Sequence, residues 1–546
     1  MANPTPHITS LRLATARHCM TMVYRFVDGL VLTICLLVVT APMPERLWLY
    51  ALLACYWLCA ALVTMTGSPI RRGRSTAGAI SAWIRAVILV AIIGIVSVWP
   101  TVEAIAARHH SRPYLHVGDS ALQVELATRF LLQGRDYYAL TYFHTELERQ
   151  SLASGGFLGD IRINPALYHT DSLPFQEELT VPVMLAARAT LGWFDERFIY
   201  LACFGLVLIL ASMLAATASR RLALVAGLGL NPIFVPFLIG GQNDVLILAE
   251  IMGVLALVRY GRYRTALVLL GLALATKETS LFLAPYLLLW LAERSGASTW
   301  RERLRATAVL LPWLLVPAAL CILPFIVWNA RAFFDSTVGF VSGTAAHAYP
   351  IRGLGGFGFA NVVLDLHWVR SMTDYWPFSA LQVGCLLPLI GLLLYRQQAY
   401  RTLPAVLAAY AMTLFVADYC ARFCNGSFIA FIVAIVLLAS LTGQPEPSGD
   451  AAPFCPEFIA FALLVPPLTP VFLNLSNAVV AALVTGVLLV YGLVNVCGAP
   501  WRAEAPPLAP CTKIGHILTR LYGYVRLTLV LSLLSFSALR LVTVGL

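Results

Sequence analysis

The first stretch whose residue types could do chemistry is "HVGDSALQVELATRFLLQG" (116–134), where acidic, basic and amide side chains interrupt an apolar chain. Apolar residues recur at helical spacing, which predicts an amphipathic helix that ends near Gly134. Asp119 lies where this helix would begin. There it either caps the helix or acts as a general base that takes a proton from a substrate hydroxyl, and the residues alone leave both interpretations open.

A second candidate is the charged pair Lys277 and Glu278, which interrupts the apolar stretch "ALATKETSLFLAPY". A charge within a membrane segment costs a few kcal/mol, so such a pair indicates a functional site unless its members neutralise each other. Lys is a compact point charge suited to phosphate. The pair is therefore either a local ion pair at a hairpin or a phosphate-binding lysine beside a carboxylate.

A third polar group lies in "GGQND" (240–244), between two short apolar runs. Gly-Gly followed by Asn-Asp is ordinary turn chemistry, so a polar hairpin turn is one interpretation. The other interpretation is a substrate-binding turn that presents Gln242, Asn243 and Asp244.

The Gly-rich stretch "SGTAAHAYPIRGLGGFGF" (342–359) carries His347, Tyr349 and Arg352. It has neither Walker nor Rossmann glycine spacing, so it is not a nucleotide-binding loop. It is either a flexible loop that closes over a substrate or a plain connector.

The stretch "DYCARFCNGS" (418–427) places Asp418 and Arg422 one helical turn apart, the spacing of a helix ion pair. Cys420 and Cys424 have the same spacing, which rarely has disulfide geometry, so we predict no bond between them.

The elements that must position these groups are membrane helices. The chain has 546 residues, of which 60% are hydrophobic and 12% charged, far from the composition of a soluble domain. Its long apolar runs are continuous and do not alternate, which predicts an all-α polytopic membrane protein with about 13–15 membrane helices. The net charge of +10 does not indicate nucleic-acid binding, because the basic residues cluster at the ends of apolar runs.

The basic residues also predict an orientation. With the N-terminus in the cytoplasm, the polar segments 101–196 and 329–378 fall on the outer face, as do "GGQND" and "KET". Several predicted helices are short or paired, which is tolerated where they line a cavity. The stretch 179–194 is predicted to be an interfacial helix, with a re-entrant hairpin as the alternative. We divide the chain into N-terminal membrane helices (1–78), a membrane core (79–430) and C-terminal membrane helices (431–546).

The order of the motifs "DSALQVE", "LLQGRDYY", "NPAL", "LPF" and "GGQND", followed by a lysine, resembles the bacterial integral-membrane glycosyltransferases of the C type over roughly residues 80–430. The chain departs from the family where "GRDYY" lacks the proline of "GxNPY" and where no aromatic residue precedes "LP". The resemblance implies a polyprenyl-phosphate-linked sugar as donor and chemistry on the outer face of the bacterial plasma (inner) membrane. It also implies that Asp119 is the catalytic carboxylate.

From the residues and the resemblance together we expect direct displacement at the anomeric carbon. Asp119 would be the general base, and Lys277, Arg352 and Arg422 would bind the donor phosphate. The acceptor would be an envelope glycan, lipid or protein. No cofactor is certain, and a divalent cation, which some relatives use, stays open. We expect these residues to bind substrate: His116, Gln123, Gln242, Asn243, Asp244, Glu278, His347 and Tyr349.

Two other classes of protein fit part of the pattern. Broken helices with charges inside them are typical of transporters and lipid flippases, and long polar segments suit a scaffold of an envelope assembly. Against a transporter, the two halves show no detectable repeat, and the polar groups are predicted on one face instead of the midplane.

Overall fold

A computed structural model describes residues 27–40, 48–65, 76–154, 157, 161–353, 358–398 and 401–442, and this part of the chain is helical throughout, with no strand. The helices are α1 (Val27–Thr40), α2 (Leu49–Met65), α3 (Thr76–Ile93), α4 (Trp99–His110), α5 (Asp119–Leu132), α6 (Glu146–Ala153), α7 (Pro174–Leu191), α8 (Arg197–Leu214), α9 (Ala218–Gly229), α10 (Phe234–Gly240), α11 (Asp244–Arg259), α12 (Tyr263–Thr276), α13 (Ala284–Arg294), α14 (Trp300–Phe334), α15 (Phe340–Ser342), α16 (Ala360–Asp365), α17 (Phe378–Gln397), α18 (Leu403–Tyr419) and α19 (Gly426–Leu441).

Four of these helical stretches are long and apolar enough to cross a membrane, or five if a bent pair counts as one span. They begin at Gly78, Arg197, Trp300 and Phe378, and α9 with α10 forms the bent pair. The chain is thus a helical membrane protein on length and composition, while the finer number of 13–15 membrane helices stays a prediction. The predicted helices 458–474, 477–494 and 527–544 and the basic loop 70–74 lie outside the described residues.

One helix runs further than the apolar pattern predicted. α3 continues through a π-helical turn, Gly94–Val98, into α4, so the first long polar segment begins at 111 and not at 101. α14 is kinked at Asn329, whose φ of −158° and ψ of 85° are not helical. The kink coincides with the predicted start of the second polar segment, and the first part of that segment is helical up to Ser342 through a second π-helical turn.

Short helices occur as predicted, but the stretch 223–239, predicted as a single run, belongs to two helices. α9 and α10 meet at an angle of 50° around Pro232, and the Asn231 side chain accepts from the Ile233 and Phe234 amides. α12 ends at Thr276, and a 3₁₀ turn, Glu278–Leu283, leads into α13.

The core surrounds α11, whose residues from Asp244 to Met252 are all buried. A helix that is apolar on every side belongs in the interior of a bundle. α8, α12 and α19 pack around it, so the N-terminal end of α11, and the "GGQND" turn before it, is fixed from several sides.

Candidate functional site

The Asp119 carboxylate is held by two donors at the start of α5. Its Oδ1 accepts from the Ser120 amide at 2.9 Å and its Oδ2 accepts from the Asn164 side chain at 3.0 Å. Gly118, not Asp119, takes the N-cap position, and it provides no side-chain cap. Asp119 is therefore not the N-cap residue of α5: its Oδ1 accepts from the next amide of the helix, and its Oδ2 is turned to a neighbouring loop.

The turn at "GGQND" lies directly against the start of α5. The Gly118 amide donates to the Gly240 carbonyl at 2.7 Å. A Cβ at Gly118 would lie 2.6 Å from that carbonyl oxygen, and a Cβ at Gly241 would lie 2.8 Å from the Ala121 Cβ. Only glycine allows so close an approach, and Asp119 is thereby placed beside Gln242, whose amide Nε2 would be 3.9 Å from the same Gly118 Cβ.

Lys277 joins this group through Asp244. Its Nζ is 3.0 Å from the Asp244 Oδ1 and 5.0 Å from the centroid of the Phe428 ring. The ion pair spans α11 and the break after α12, so the turn motif and the "KET" motif form one site. Burial alone would lower the pKa of the Lys277 ammonium, but the carboxylates of Asp244 and Glu278 outweigh it and raise the pKa.

Two acidic residues outside the predicted substrate-binding set also belong to this group. Asp171 interacts electrostatically with Lys277, Asp119 and Asp244. Asp418, predicted only as an ion-pair partner of Arg422, interacts with Lys277, Glu278 and Asp244. No local pattern indicates this grouping, since only the fold brings these residues together. Among the described residues, no group of three His, Cys, Asp or Glu side chains is arranged to hold a metal ion.

The acidic residues of the site are partly enclosed by protein. The Asp171 and Glu278 side chains are exposed, yet desolvation by the surrounding protein raises the pKa of both carboxyl groups. We call the region around Asp119, Asp171, Asp244, Lys277, Glu278 and Asp418 the acidic crevice.

The segment 164–171 covers the first turn of α5. The Gln123 amide donates to the Ala166 carbonyl at 2.7 Å and to the His169 carbonyl at 2.8 Å. Buried Gln123 thus holds this segment in place, and its amide faces the segment's backbone. The start of the segment reaches Asp119 through the hydrogen bond of Asn164.

Asn243 is fixed by a chain of amides. Its Nδ2 donates to the Gln176 Oε1 at 2.9 Å, and the Gln176 Nε2 donates to the Tyr200 hydroxyl at 2.8 Å. This chain links the turn to α7 and α8. Gln176 is fully buried within the predicted interfacial helix, which the structure shows as a single helix, α7, and not as a re-entrant hairpin.

His116 stands at the edge of the site. It is exposed and has a φ of 57°, and its carbonyl accepts from Arg197 at 2.7 Å. Behind it lies a buried ionic network in which Arg108 binds Glu125 and Asp195, and Asp195 also binds Arg197. The network fixes α4, α5 and α8 relative to one another at the base of the crevice.

Arg422 is used as a structural anchor. Its guanidinium donates to the carbonyls of Tyr349, Met372 (3.3 Å) and Asp374 (2.9 Å), and the residue is 1% exposed. Burial lowers its pKa to about 10, although Asp374 acts in the opposite direction. The predicted pairing with Asp418 is not formed, because α18 ends at Tyr419 and the two side chains diverge from helical geometry.

The Gly-rich stretch is fastened to the segment after α18. The Arg352 amide donates to the Arg422 carbonyl at 2.9 Å, and the Phe359 amide donates to the Tyr419 carbonyl at 2.8 Å. A Cβ at Gly343 would lie 2.4 Å from an Arg422 nitrogen, so glycine allows this packing. The described part of the stretch, residues 342–353 and 358–359, is therefore held in place by these bonds, and we call it the cover. Tyr349 packs its ring at 4.1 Å from the Phe423 ring.

Two histidines join this cover to the segment 164–171. The His169 ring contacts the Ala346 carbonyl at 2.8 Å and the Ser336 hydroxyl at 3.3 Å. The His347 ring stacks on Tyr168 with ring centroids 3.9 Å apart and an interplanar angle of 9°. The two polar segments predicted separately thus meet over the site.

Comparison with known proteins gives no family for the chain: no family model matches it, and no curated protein or solved structure is significantly similar.

Proposed function

We propose that this chain is a membrane glycosyltransferase that moves a sugar from a polyprenyl-phosphate donor to an envelope glycan, lipid or protein acceptor. The observation that carries the proposal is the common crevice of Asp119 and Lys277, which adjoin through the contact of Gly118 with Gly240 and the ion pair of Asp244. A carboxylate and a lysine in one crevice supply a base for the acceptor and a cation for the leaving group.

In the proposed reaction, Asp119 takes the proton of the acceptor hydroxyl. The acceptor oxygen forms a bond to the anomeric carbon while the bond from that carbon to the phosphate oxygen breaks. Polyprenyl phosphate leaves with the bonding electron pair, and Lys277 stabilises its negative charge. Such a single displacement inverts the anomeric centre.

The acidic crevice must not repel the donor phosphate. Burial raises the pKa of the Asp171 and Glu278 carboxyl groups, so either group takes up a proton more readily than an exposed carboxylate does when a phosphate approaches. Asp244 keeps Lys277 charged and oriented. We assign Arg422 to holding the cover, since its donors are engaged by carbonyls, and we keep Arg352 as a second phosphate contact.

The donor lipid is proposed to approach along α7. This helix buries Gln176 and Thr180 on one side, while Leu185 and Leu191 are exposed on the other. An amphipathic helix of this kind lies in a membrane interface. With the orientation predicted from the basic residues, the crevice opens on the outer face of a bacterial plasma membrane.

The test is a transfer assay in proteoliposomes with a radiolabelled polyprenyl-phosphate sugar and an envelope extract as acceptor. We expect Asp119→Asn to abolish transfer while the control Asp335→Asn, which changes a half-exposed carboxylate at the end of α14, leaves it unchanged. Equal transfer by wild type and Asp119→Asn would remove the catalytic assignment.

A transporter is the second candidate, and the observation that favours it is the 50° break between α9 and α10, just before the "GGQND" turn. The vesicles can also be tested for uptake of the lipid-linked sugar. If uptake occurs without sugar transfer and does not depend on Asp119, the chain is a transporter and not a transferase.

A further inference from the structure

We propose that the stacked rings of Tyr168 and His347 form a carbohydrate-binding platform that holds the acceptor sugar beside Asp119. The inference rests on the proposed glycosyltransferase function, and it names the acceptor as a molecule that presents a sugar ring.

The platform is adjacent to the general base through one short segment. Tyr168 lies four residues after Asn164, whose side chain donates to Asp119 at 3.0 Å. Gln123, one helical turn after Asp119, donates to the carbonyls of Ala166 at 2.7 Å and His169 at 2.8 Å, on either side of Tyr168. The segment that carries Tyr168 therefore runs along the first turn of α5, beside Asp119.

The ring geometry leaves a flat surface available. The Tyr168 and His347 centroids are 3.9 Å apart with nearly parallel planes, and Phe143 packs its edge on Tyr168 at 5.0 Å and 75°. Tyr168 is therefore enclosed, while His347 is exposed and presents its outer face. Aromatic faces carry negative potential and bind C–H or cationic groups.

The platform is held rigidly. His169, next to Tyr168, bonds through its ring to the carbonyl of Ala346, next to His347. His347 itself has a φ of 56°, a conformation that non-glycine residues rarely adopt. Such strain persists where surrounding contacts enforce it and clusters at ligand-binding positions. The surrounding contacts thus hold the His347 backbone in an unfavourable conformation that fixes the position of its ring.

A sugar fits this surface better than a lipid chain does. A pyranose has one face of C–H groups and a rim of hydroxyls, and the platform offers a flat ring on the segment whose Asn164 binds Asp119. A lipid chain would find no polar partner to orient it, whereas a sugar hydroxyl in contact with Asp119 is the group that the proposed reaction deprotonates.

The first measurement is binding, by saturation-transfer NMR, of methyl glycosides of common hexoses and pentoses to the intact protein in detergent. We expect at least one to bind with its C–H face on the protein. His347→Ala should weaken that binding at least tenfold, and His347→Phe, which keeps a flat ring, should retain it. The control is His367→Ala, an exposed histidine with a φ of 55° outside the crevice.

Binding to wild type that His347→Ala leaves unchanged would overturn the platform, as would the absence of binding by every methyl glycoside. If tetramethylammonium displaces the sugar as effectively as a second sugar does, the platform binds a cationic ligand and not a carbohydrate.

Asp119→Asn distinguishes this proposal from the proposed function. If this variant still binds glycosides but no longer transfers sugar, the result supports both the platform at His347 and the role of Asp119 as the base. Glycoside binding that depends on His347 in a protein with no transfer activity would keep the platform and remove the transferase.

Discussion

Asn164 donates a hydrogen bond from its Nδ2 to the Oδ2 of Asp119 at 3.0 Å, and Asn164 is only 4% exposed. The bond connects the "NPAL" motif to the start of α5 and sets the direction of one carboxylate oxygen. The other side of the same amide, Oδ1, accepts from the Ala166 amide, so Asn164 is itself fixed. A general base needs this kind of orientation, because a misplacement of about 1 Å costs on the order of 100-fold in rate.

The first prediction concerns the two bonds of Asn164. Asn164→Ala removes both bonds without adding charge, whereas Asn164→Asp keeps an oxygen for the Ala166 amide but places a second buried carboxylate against Asp119. We expect both variants to lower kcat about 10- to 100-fold, with little change in the KM for the donor, and both to lower the Tm, because one loses two hydrogen bonds and the other buries a repelling charge. Equal kcat in Asn164→Asp and wild type would show that the hydrogen bond does not position the base.

The second prediction concerns the contact between α5 and the "GGQND" turn. A Cβ at Gly118 would lie 2.6 Å from a backbone oxygen, whereas a Cβ at Gly240 would meet nothing within 4 Å. We expect Gly118→Ala to lower the free energy of unfolding by about 1–3 kcal/mol and to reduce transfer. Gly240→Ala is the matched control, and thermal unfolding in detergent measures both. A Gly118→Ala protein as stable and active as Gly240→Ala would contradict the close packing.

The third prediction tests the Lys277–Asp244 pair by a double-mutant cycle. Because both partners are largely buried, removing either one leaves an uncompensated charge, which lowers the free energy of unfolding by about 3–5 kcal/mol. The double variant Lys277→Met with Asp244→Asn should lose less unfolding free energy than the sum of the losses in the two single variants. The exposed pair of Arg331 and Asp335 is the control, with a coupling energy below about 1 kcal/mol. Additive effects at Lys277 and Asp244 would argue against a common site.

The fourth prediction concerns pH and Glu177, a fully buried carboxyl on α7. Burial raises its pKa from 4.5 to about 8, although the Ser172 hydroxyl that donates to it acts in the opposite direction. The unfolded chain releases this proton near pH 4.5 while the folded protein keeps it. The associated stability is therefore complete below pH 4.5 and is lost as the pH rises to about 8.

Glu177→Gln keeps the shape of the side chain and cannot ionise. We expect its Tm to fall less than that of wild type between pH 5 and pH 8, as measured by thermal unfolding in one detergent across a buffer series. Parallel curves for the two proteins would show that Glu177 is ionised at neutral pH in the folded state.

The pattern of apolar runs predicted the short helices on either side of Lys277 and Glu278 well, because this charged pair interrupts the apolar stretch. It missed the break at Pro232, since the residues on both sides of this proline are apolar. It also missed α4, which is polar enough to resemble a loop although its backbone continues α3 through a π-helical turn. The end of the apolar run at 328 does coincide with the kink of α14 at Asn329.

The site could be predicted only in its parts. Asp119, Asp244 and Lys277 stand out as polar residues in apolar surroundings, and the structure brings them to one crevice. Asp171 has no such contrast, since it lies in a polar loop, and its position depends on packing across the chain. For Arg422 the sequence pattern was misleading. Its charge suggested that it binds a phosphate, but its partners are carbonyls of residues distant in sequence, which no local pattern reveals.

The most direct test of the central claim is the single-turnover rate of sugar transfer by Asp119→Asn with the donor already bound. Pre-binding the donor separates the chemical step from lipid binding, and Asp119→Glu and Asp335→Asn serve as partial and full controls. We expect the rate of Asp119→Asn to fall about 100- to 10,000-fold, with the donor still bound and the Tm unchanged. A rate equal to that of wild type would contradict the assignment of Asp119 as the general base.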